Sequence, residues 1–245
     1  MHGRVGDRPL PLAFGSVAET YDRVRPPYFV PLLDRAQEAL ELTSDATVLD
    51  LAAGTGRLTR ELLKRFASVI AVEPDEEMRT LIDTEAVLAG TAEAIPLRDG
   101  SLDGVFVGEA FHWFDPVRAI VEIARVLRPR GGLAVISTHW WETEPALPEA
   151  ALALLREPYE RSFDQRRPRW GSAFESTPFD PLRYEHFEEE QTVDADALLT
   201  LYSTTSTLAA LQDDRRAALL SEVRTHLVGR YRLPIKHELA WTRLT

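Results

Sequence analysis

The chain has 245 residues, 44% of them hydrophobic, enough to bury a sizeable core and far from the composition of a disordered segment. Its 28 basic and 39 acidic residues leave a net charge of -11, which works against nonspecific attachment to nucleic acid or an anionic membrane and favours a small-molecule partner. There is no cysteine, so thiol catalysis, disulfides and cysteine-ligated zinc are excluded, and no metal site is expected.

The opening residues MHGRVGDRPLPLA mix Gly, Pro and charge without periodicity and read as a tail. They hold no apolar signal-peptide core, and no long apolar run follows, so a soluble, cytoplasmic protein is expected. Next comes FGSVAETYDRVRPPY, whose Pro26-Pro27 makes a stiff break before a helix expected from Tyr28 to Leu42. Leu32, Leu33, Ala36, Ala39 and Leu40 form its apolar face.

VLDLAAGTGRLTRELLKR, from Val48 to Arg65, reads as a buried strand, a glycine turn over Ala52 to Gly56, and a helix with Leu58, Leu62, Leu63 and Phe66 on one face. The small residues of the turn leave backbone N–H groups open to a ligand at the helix N-terminus. A dinucleotide fingerprint would need a third glycine where Thr59 stands, and the Asp50 carboxylate would repel a pyrophosphate. A ligand carrying positive charge suits the turn better.

Ser68 to Val72 is a second apolar strand ending at Glu73, and Pro74 opens a helix carrying Met78, Leu81 and Ile82. Met78 belongs either to the core or against a ligand. Ala86 to Ala89 is a weak third strand leading to Gly90-Thr91-Ala92-Glu93. After the Asp99-Gly100 turn, Leu102 to Gly108 reads as a fourth strand buried on both faces. It runs into GEAFHWFDP, and because open parallel sheets bind ligands beyond the carboxyl ends of their strands, Glu109, Ala110, His112 and Trp113 should line a crevice opposite the turn. A helix follows from Pro116 to Leu127, with Asp115 as N-cap and Val117, Ile120, Val121, Ala124 and Leu127 as its apolar stripe. LRPRGG stops it, and Leu133 to Ser137 makes a fifth strand.

From His139 to Pro181 the pattern breaks into a helix near Leu147 to Phe163 and the irregular RRPRWGSAFESTPFDP, which reads as a lid or insertion. Arg183 to Val193 is expected as a strand, Ala195 to Leu211 and Asp214 to Val228 as helices, and Ile235 to Leu244 as the last strand.

Asp50, Gly54 and Gly56, then Glu73 seventeen residues past Gly56, then Thr91-Ala92-Glu93 and LRPRGG, all within an alternating βα pattern, together resemble the class I S-adenosylmethionine-dependent methyltransferases. AFHWFD further resembles the small-molecule, type 11 subgroup that includes enzymes methylating trans-aconitate-like carboxylic acids. The resemblance covers about residues 45 to 138. It implies an α/β, Rossmann-like, doubly wound fold: a mostly parallel seven-stranded sheet with an antiparallel last strand and a lid insertion between strands 5 and 6. One domain, 1–245, is expected, with a core at about 45–138, an N-terminal cap at 14–44, the insertion at 139–181 and closing elements at 182–245.

By that resemblance the cofactor is S-adenosylmethionine, Glu73 takes both ribose hydroxyls, and Tyr21 and Arg25 either cover the methionine end or belong to a surface loop packing on the core; the helix N-terminus after Gly56 suits the cofactor's carboxylate through its dipole. Ala52 stands where many members have the first glycine. Thr91 replaces the aspartate that usually receives the adenine amino group, which leaves a backbone contact at Ala92 or help from Glu93. With Asp50, Gly54, Gly56, Pro74, Met78, Glu109, Ala110 and Trp113, these make the expected cofactor-binding set.

His112 is either a general base for a hydroxyl acceptor or, with its aromatic neighbours, part of the pocket wall. Trp140 and Trp141 either shape the acceptor pocket or form a satellite core. Arg23, Arg25, Arg166, Arg167 and Arg169 either neutralise an acidic substrate or are solvated surface groups. The expected function is direct methyl transfer to a small organic molecule. A cofactor-binding protein without turnover is an alternative, and an NAD-dependent oxidoreductase is disfavoured by Thr59 and Asp50. The acceptor and the choice between monomer and homodimer stay open.

Overall fold

The computed structural model of the chain describes residues 28–139, 147–162, 170–205, 208 and 211–245, together with the backbone of two short stretches near the amino end. Those stretches, Arg4–Val5 and Arg8–Pro9, pair antiparallel as a separate two-stranded ribbon. The main sheet has seven strands: β1 (Thr47–Leu51), β2 (Ser68–Val72), β3 (Val87–Leu88), β4 (Leu102–Gly108), β5 (Leu127–His139), β6 (Arg183–Asp194) and β7 (Arg230–Arg243). Their spatial order is β3-β2-β1-β4-β5-β7-β6. The first five are parallel to one another, and the last strands run antiparallel, as expected for a Rossmann-like sheet with a reversed edge.

Side-chain pairs show the reversal directly. Arg232 binds Glu190, Lys236 faces Glu188, His186 faces Glu238, and the Arg183 guanidinium lies 4.9 Å over the Trp241 ring, so numbers fall on β6 as they rise on β7. The expected last strand was shorter. The observed β7 begins at Arg230 rather than Ile235, and helices lie between it and β6, as expected.

The described helices are α1 (Val30–Ala39), α2 (Arg57–Leu62), α3 (Glu76–Arg79), α4 (Pro116–Val126), α5 (Glu149–Ser162), α6 (Ala195–Ser203) and α7 (Asp213–Thr225). None among the described residues is long and apolar enough to cross a membrane. Aspartates start three of them. Asp75 accepts the Met78 N–H at 3.1 Å, Asp115 the Arg118 N–H at 3.3 Å and Asp194 the Ala197 N–H at 2.8 Å. α1 stops a turn short of the expected Leu42, with Glu41 leaving the helix at φ 55.

The chain divides into two compact units, one of Met1–Pro26, His139–Arg166 and Glu188–Lys236, the other of Pro27–Thr138, Arg167–Phe187 and His237–Thr245. The first has its own apolar cluster, built from Ala151 and Leu155 of α5, Leu198 and Tyr202 of α6, Val223 of α7 and Leu233 of β7. The second holds the glycine turn and carries a cluster on each face of the sheet. Leu32, Leu33 and Ala36 of α1 and Leu58 and Leu62 of α2 meet Val48 and Phe106 on one face. Ile120 and Ile123 of α4 meet Leu49, Val105 and Val107 on the other, joined by Phe174 and Phe179 from the segment before β6. That part of the expected insertion is core, not cover.

Two expected faces need correction. Leu63 is 42% exposed, because α2 ends at Leu62 and turns its next residue outward. On α4 the buried residues are Ala119, Ile120, Ile123 and Val126, the expected stripe moved back by one position, while Val117 and Val121 are 64% and 63% exposed. The helix is apolar on two arcs about 100° apart, and contact with the sheet decides which one is buried.

This contrast is testable by denaturant unfolding. Phe106→Ala, which empties a fully buried site beside Phe66, should cost about 3–5 kcal/mol, and Val117→Ala should cost less than ~0.5 kcal/mol. Equal losses would return Val117 to the core.

Candidate functional site

The strand order reverses between β1 and β4, and such a switch point opens a crevice beyond the carboxyl ends of the strands. At that end β1 turns into α2 through three left-handed residues, Ala52 (φ 59), Gly54 (φ 57) and Gly56 (φ 77). Gly56 has a second reason to be glycine: a Cβ there would lie 3.0 Å from Ile82 Cγ2 and 3.2 Å from Ile82 Cα. At Gly54 only the backbone conformation demands it, since a Cβ would meet Met78 Sδ at an ordinary 3.8 Å.

Two carboxylates are buried against this turn, Asp50 at 1% exposure and Glu73 at 5%. Thr59 Oγ1 donates to Asp50 Oδ2 at 2.6 Å, so the residue that breaks the dinucleotide pattern also ties α2 to β1. Burial pushes the Asp50 carboxyl up to about 7; the Thr59 hydrogen bond opposes this and the Glu73 charge adds to it. Glu73 is raised for the same first reason, with the N–H groups of Asp75 and Gly54 pulling it back.

Glu73 Oε2 accepts the Gly54 N–H at 2.8 Å and Oε1 accepts the Asp75 N–H at 2.9 Å. Three N–H groups of the turn are thus engaged within the protein. Gly54 gives its N–H to Glu73, Ala53 to the Val72 carbonyl at 3.1 Å, and Gly56 to the Ala53 carbonyl at 2.9 Å. α2, with only six residues, adds little dipole. Each Glu73 oxygen uses one of its two acceptor positions in these bonds.

The other expected site residues fall around this centre. Met78 is buried beside Gly54, while Pro74 is exposed and its carbonyl accepts from Arg79 Nη1 at 2.7 Å. Thr91 is exposed and bridged to Ala94, Ala92 is buried in the core, and Glu93 Oε1 accepts the Asp115 N–H at 2.9 Å, bracing the start of α4. Beyond β4, Glu109 adopts φ 58 and gives its N–H to the Ile136 carbonyl at 2.9 Å. Ala110 starts a single 3₁₀ turn, Phe111–Trp113. That turn sends Phe111 inward, 4.7 Å from the Trp170 ring, and leaves His112 exposed with its ring 4.7 Å from Trp113. Tyr21, Arg23, Arg25, Trp140, Trp141, Arg166, Arg167 and Arg169 lie outside the described residues.

Sequence reading missed Arg125, which fixes the loop after Thr91. Its guanidinium meets both Glu122 oxygens at 2.8 Å, the Ile95 and Leu97 carbonyls at 2.8 Å and Asp99 Oδ1 at 2.6 Å. Only the i,i+3 spacing to Glu122 is visible in the sequence.

The state of Asp50 has a pH signature. An unfolded aspartate titrates near 4 and this one near 7, so the folded chain holds more protons between those values. Stability from this group is therefore greatest below about pH 4, falls as pH rises to about 7 and is level above. Between about pH 5 and pH 8 the melting temperature of the native chain should fall more than that of Asp50→Asn; parallel losses would show that Asp50 titrates normally.

The geometry agrees with comparisons to known proteins. Residues 49–135 match the family model described as a methyltransferase domain. Uncharacterised methyltransferases of Mycobacterium tuberculosis are 45% identical over 140 residues, 56% of this chain and 54% of theirs. The match thus spans about half the length of those relatives. A methyltransferase-like protein of Schizosaccharomyces pombe is 29% identical over 209 residues, covering 83% of this chain and 81% of that one. Among solved structures, a type II methyltransferase candidate from Anaeromyxobacter dehalogenans shares the fold with a TM-score of 0.65 at 24% identity, over 89% of this chain and 97% of that one. The strand order, the glycine turn with its flanking carboxylates and the match over residues 49–135 agree with one another: this stretch of the chain is similar to a methyltransferase domain.

Proposed function

We propose that the chain is a cytoplasmic enzyme that binds S-adenosylmethionine at the glycine turn and methylates a small organic molecule by direct displacement. The observation that carries this reading is the pair of buried carboxylates, Asp50 and Glu73, with Glu73 already holding the Gly54 N–H. A pyrophosphate would meet two acidic groups and no open turn donors at Gly54 or Gly56, which disfavours NAD. A sulfonium nucleoside would meet attraction instead.

The residues present fit that group. Glu73 keeps acceptor capacity for a vicinal diol, Gly54 leaves room over Met78, and the ends of β1, β2 and β4 converge on the switch point. When bound, the cofactor supplies an electrophilic methyl group. The protein then needs to orient the acceptor and exclude water, and no side chain has to act as nucleophile. Exposed on its 3₁₀ turn beyond β4, His112 would take the proton from a hydroxyl acceptor; a carboxylate acceptor would leave it without that task.

Thermal-shift titration tests the reading. S-adenosylmethionine and S-adenosylhomocysteine should raise the melting temperature and NAD should leave it unchanged; the reverse pattern would overturn the assignment. Glu73→Ala should weaken S-adenosylhomocysteine binding by ~1–3 kcal/mol in calorimetry, and Glu73→Gln, which keeps an acceptor oxygen, by less. Unchanged affinity in both would remove Glu73 from the site.

A further inference from the structure

Two buried carboxylates stand at the ends of β1 and β2 with only neutral donors bonded to them. Asp50 pairs with Ala71 across the two strands, and Glu73 follows two residues later, just past the end of β2. Thr59 gives Asp50 its hydroxyl, while Gly54 and Asp75 give Glu73 backbone N–H groups. Among the described residues neither carboxylate forms an ion pair. Arg79 of α3, whose charge acts on Glu73, donates instead to the Glu73 and Pro74 carbonyls at 2.9 and 2.7 Å, and Asp75 adds a further negative charge beside Glu73. On the other side of β1, Asp50 pairs with Phe106 of β4, and Glu109 and His112 follow the end of that strand.

A buried carboxylate without a cation is costly to ionise, and a second one at the same turn makes the first costlier still. One shared proton is therefore favoured over two charges, and the two groups titrate as a unit. Burial and the Glu73 charge put the Asp50 step at about 7. A positively charged ligand at this turn supplies what the pair lacks: it favours the doubly ionised form, and the displaced proton goes to solvent. By linkage, affinity for such a ligand rises with pH while the free pair is protonated and levels off once it is not. S-adenosylmethionine keeps its positive sulfur only until the methyl group leaves. S-adenosylhomocysteine is what remains, with that sulfur neutral and no charge to displace a proton.

We propose that Asp50 and Glu73 form a proton-exchange pair: one proton held between them in the free protein passes to solvent when the sulfonium cofactor binds, and one returns from solvent when the neutral product is left. This rests on the proposed function, and the test separates the two. Calorimetry on the whole chain compares the two ligands between about pH 5.5 and pH 7, below the α-amino titration of both at about 7.7–8.0. Affinity for S-adenosylmethionine should rise roughly ten-fold across that range, as for one displaced proton, while affinity for S-adenosylhomocysteine should not rise. Repeated near pH 6.5 in buffers of different ionisation enthalpy, binding of S-adenosylmethionine should release most of one proton and binding of S-adenosylhomocysteine none. Parallel pH profiles for the two ligands, or no proton released with S-adenosylmethionine, overturn the exchange and leave the cofactor reading standing. A chain that binds neither ligand overturns both. Asp50→Asn should flatten the S-adenosylmethionine profile, and His112→Asn should leave it sloped. A slope kept by Asp50→Asn, or lost from His112→Asn, overturns the assignment to the pair. Should Asp50→Asn not fold, the buffer series on the native chain and the His112→Asn profile decide the matter.

Discussion

The hydrogen bond from the Gly54 N–H to Glu73 joins the carboxyl ends of two neighbouring strands, and the rest of the site takes its shape from it. A left-handed turn directs backbone donors into one small volume, and such a volume usually seeks an anion. Here the anion is built in. Glu73 supplies it from the end of β2, accepting the Gly54 N–H with one oxygen and the Asp75 N–H with the other. Thr59 completes the arrangement from the other side, holding buried Asp50 to α2. Burial raises both carboxyl groups, with the Thr59 hydrogen bond opposing it at Asp50 and the Asp75 and Gly54 N–H groups at Glu73.

Around that centre, distant segments hold the loops in place. Arg125 on α4 gathers two carbonyls and two carboxylates and thereby fixes the stretch after Thr91. Glu93 reaches back to the first residues of α4. Phe111 turns inward onto Trp170 and Phe174, so the same 3₁₀ turn that presents His112 is anchored by the core. Each contact couples the end of a strand to an element remote in sequence, which is how a packed scaffold gives precision to loops.

Much of the fold was legible because its signals are local. Ser68–Val72 and Leu102–Gly108 occur where continuous apolar runs placed them, since strands buried on both faces need no alternation. Asp115 followed by Pro116 marked a helix start through capping chemistry alone. The rotation of α4 was not legible, because Val117 and Val121 are as apolar as Ala119 and Ile123 and only the sheet distinguishes the two arcs. RRPRWGSAFESTPFDP looked like a lid because it lacks a period, yet Phe174 and Phe179 pack into the core, where irregular backbone can still place aromatic rings.

The sequence by itself determined the order of strands and helices, the left-handed glycine turn and the two acidic residues beside it, since these depend on short-range propensity and on spacing within one βα unit. Only the tertiary structure decided what those groups do to one another: that Glu73 holds the Gly54 N–H and that Thr59 serves Asp50. The reason is physical. Chain spacing specifies which residues can be neighbours along a strand or helix, whereas a hydrogen bond between strand ends exists only once the sheet has brought them within about 3 Å.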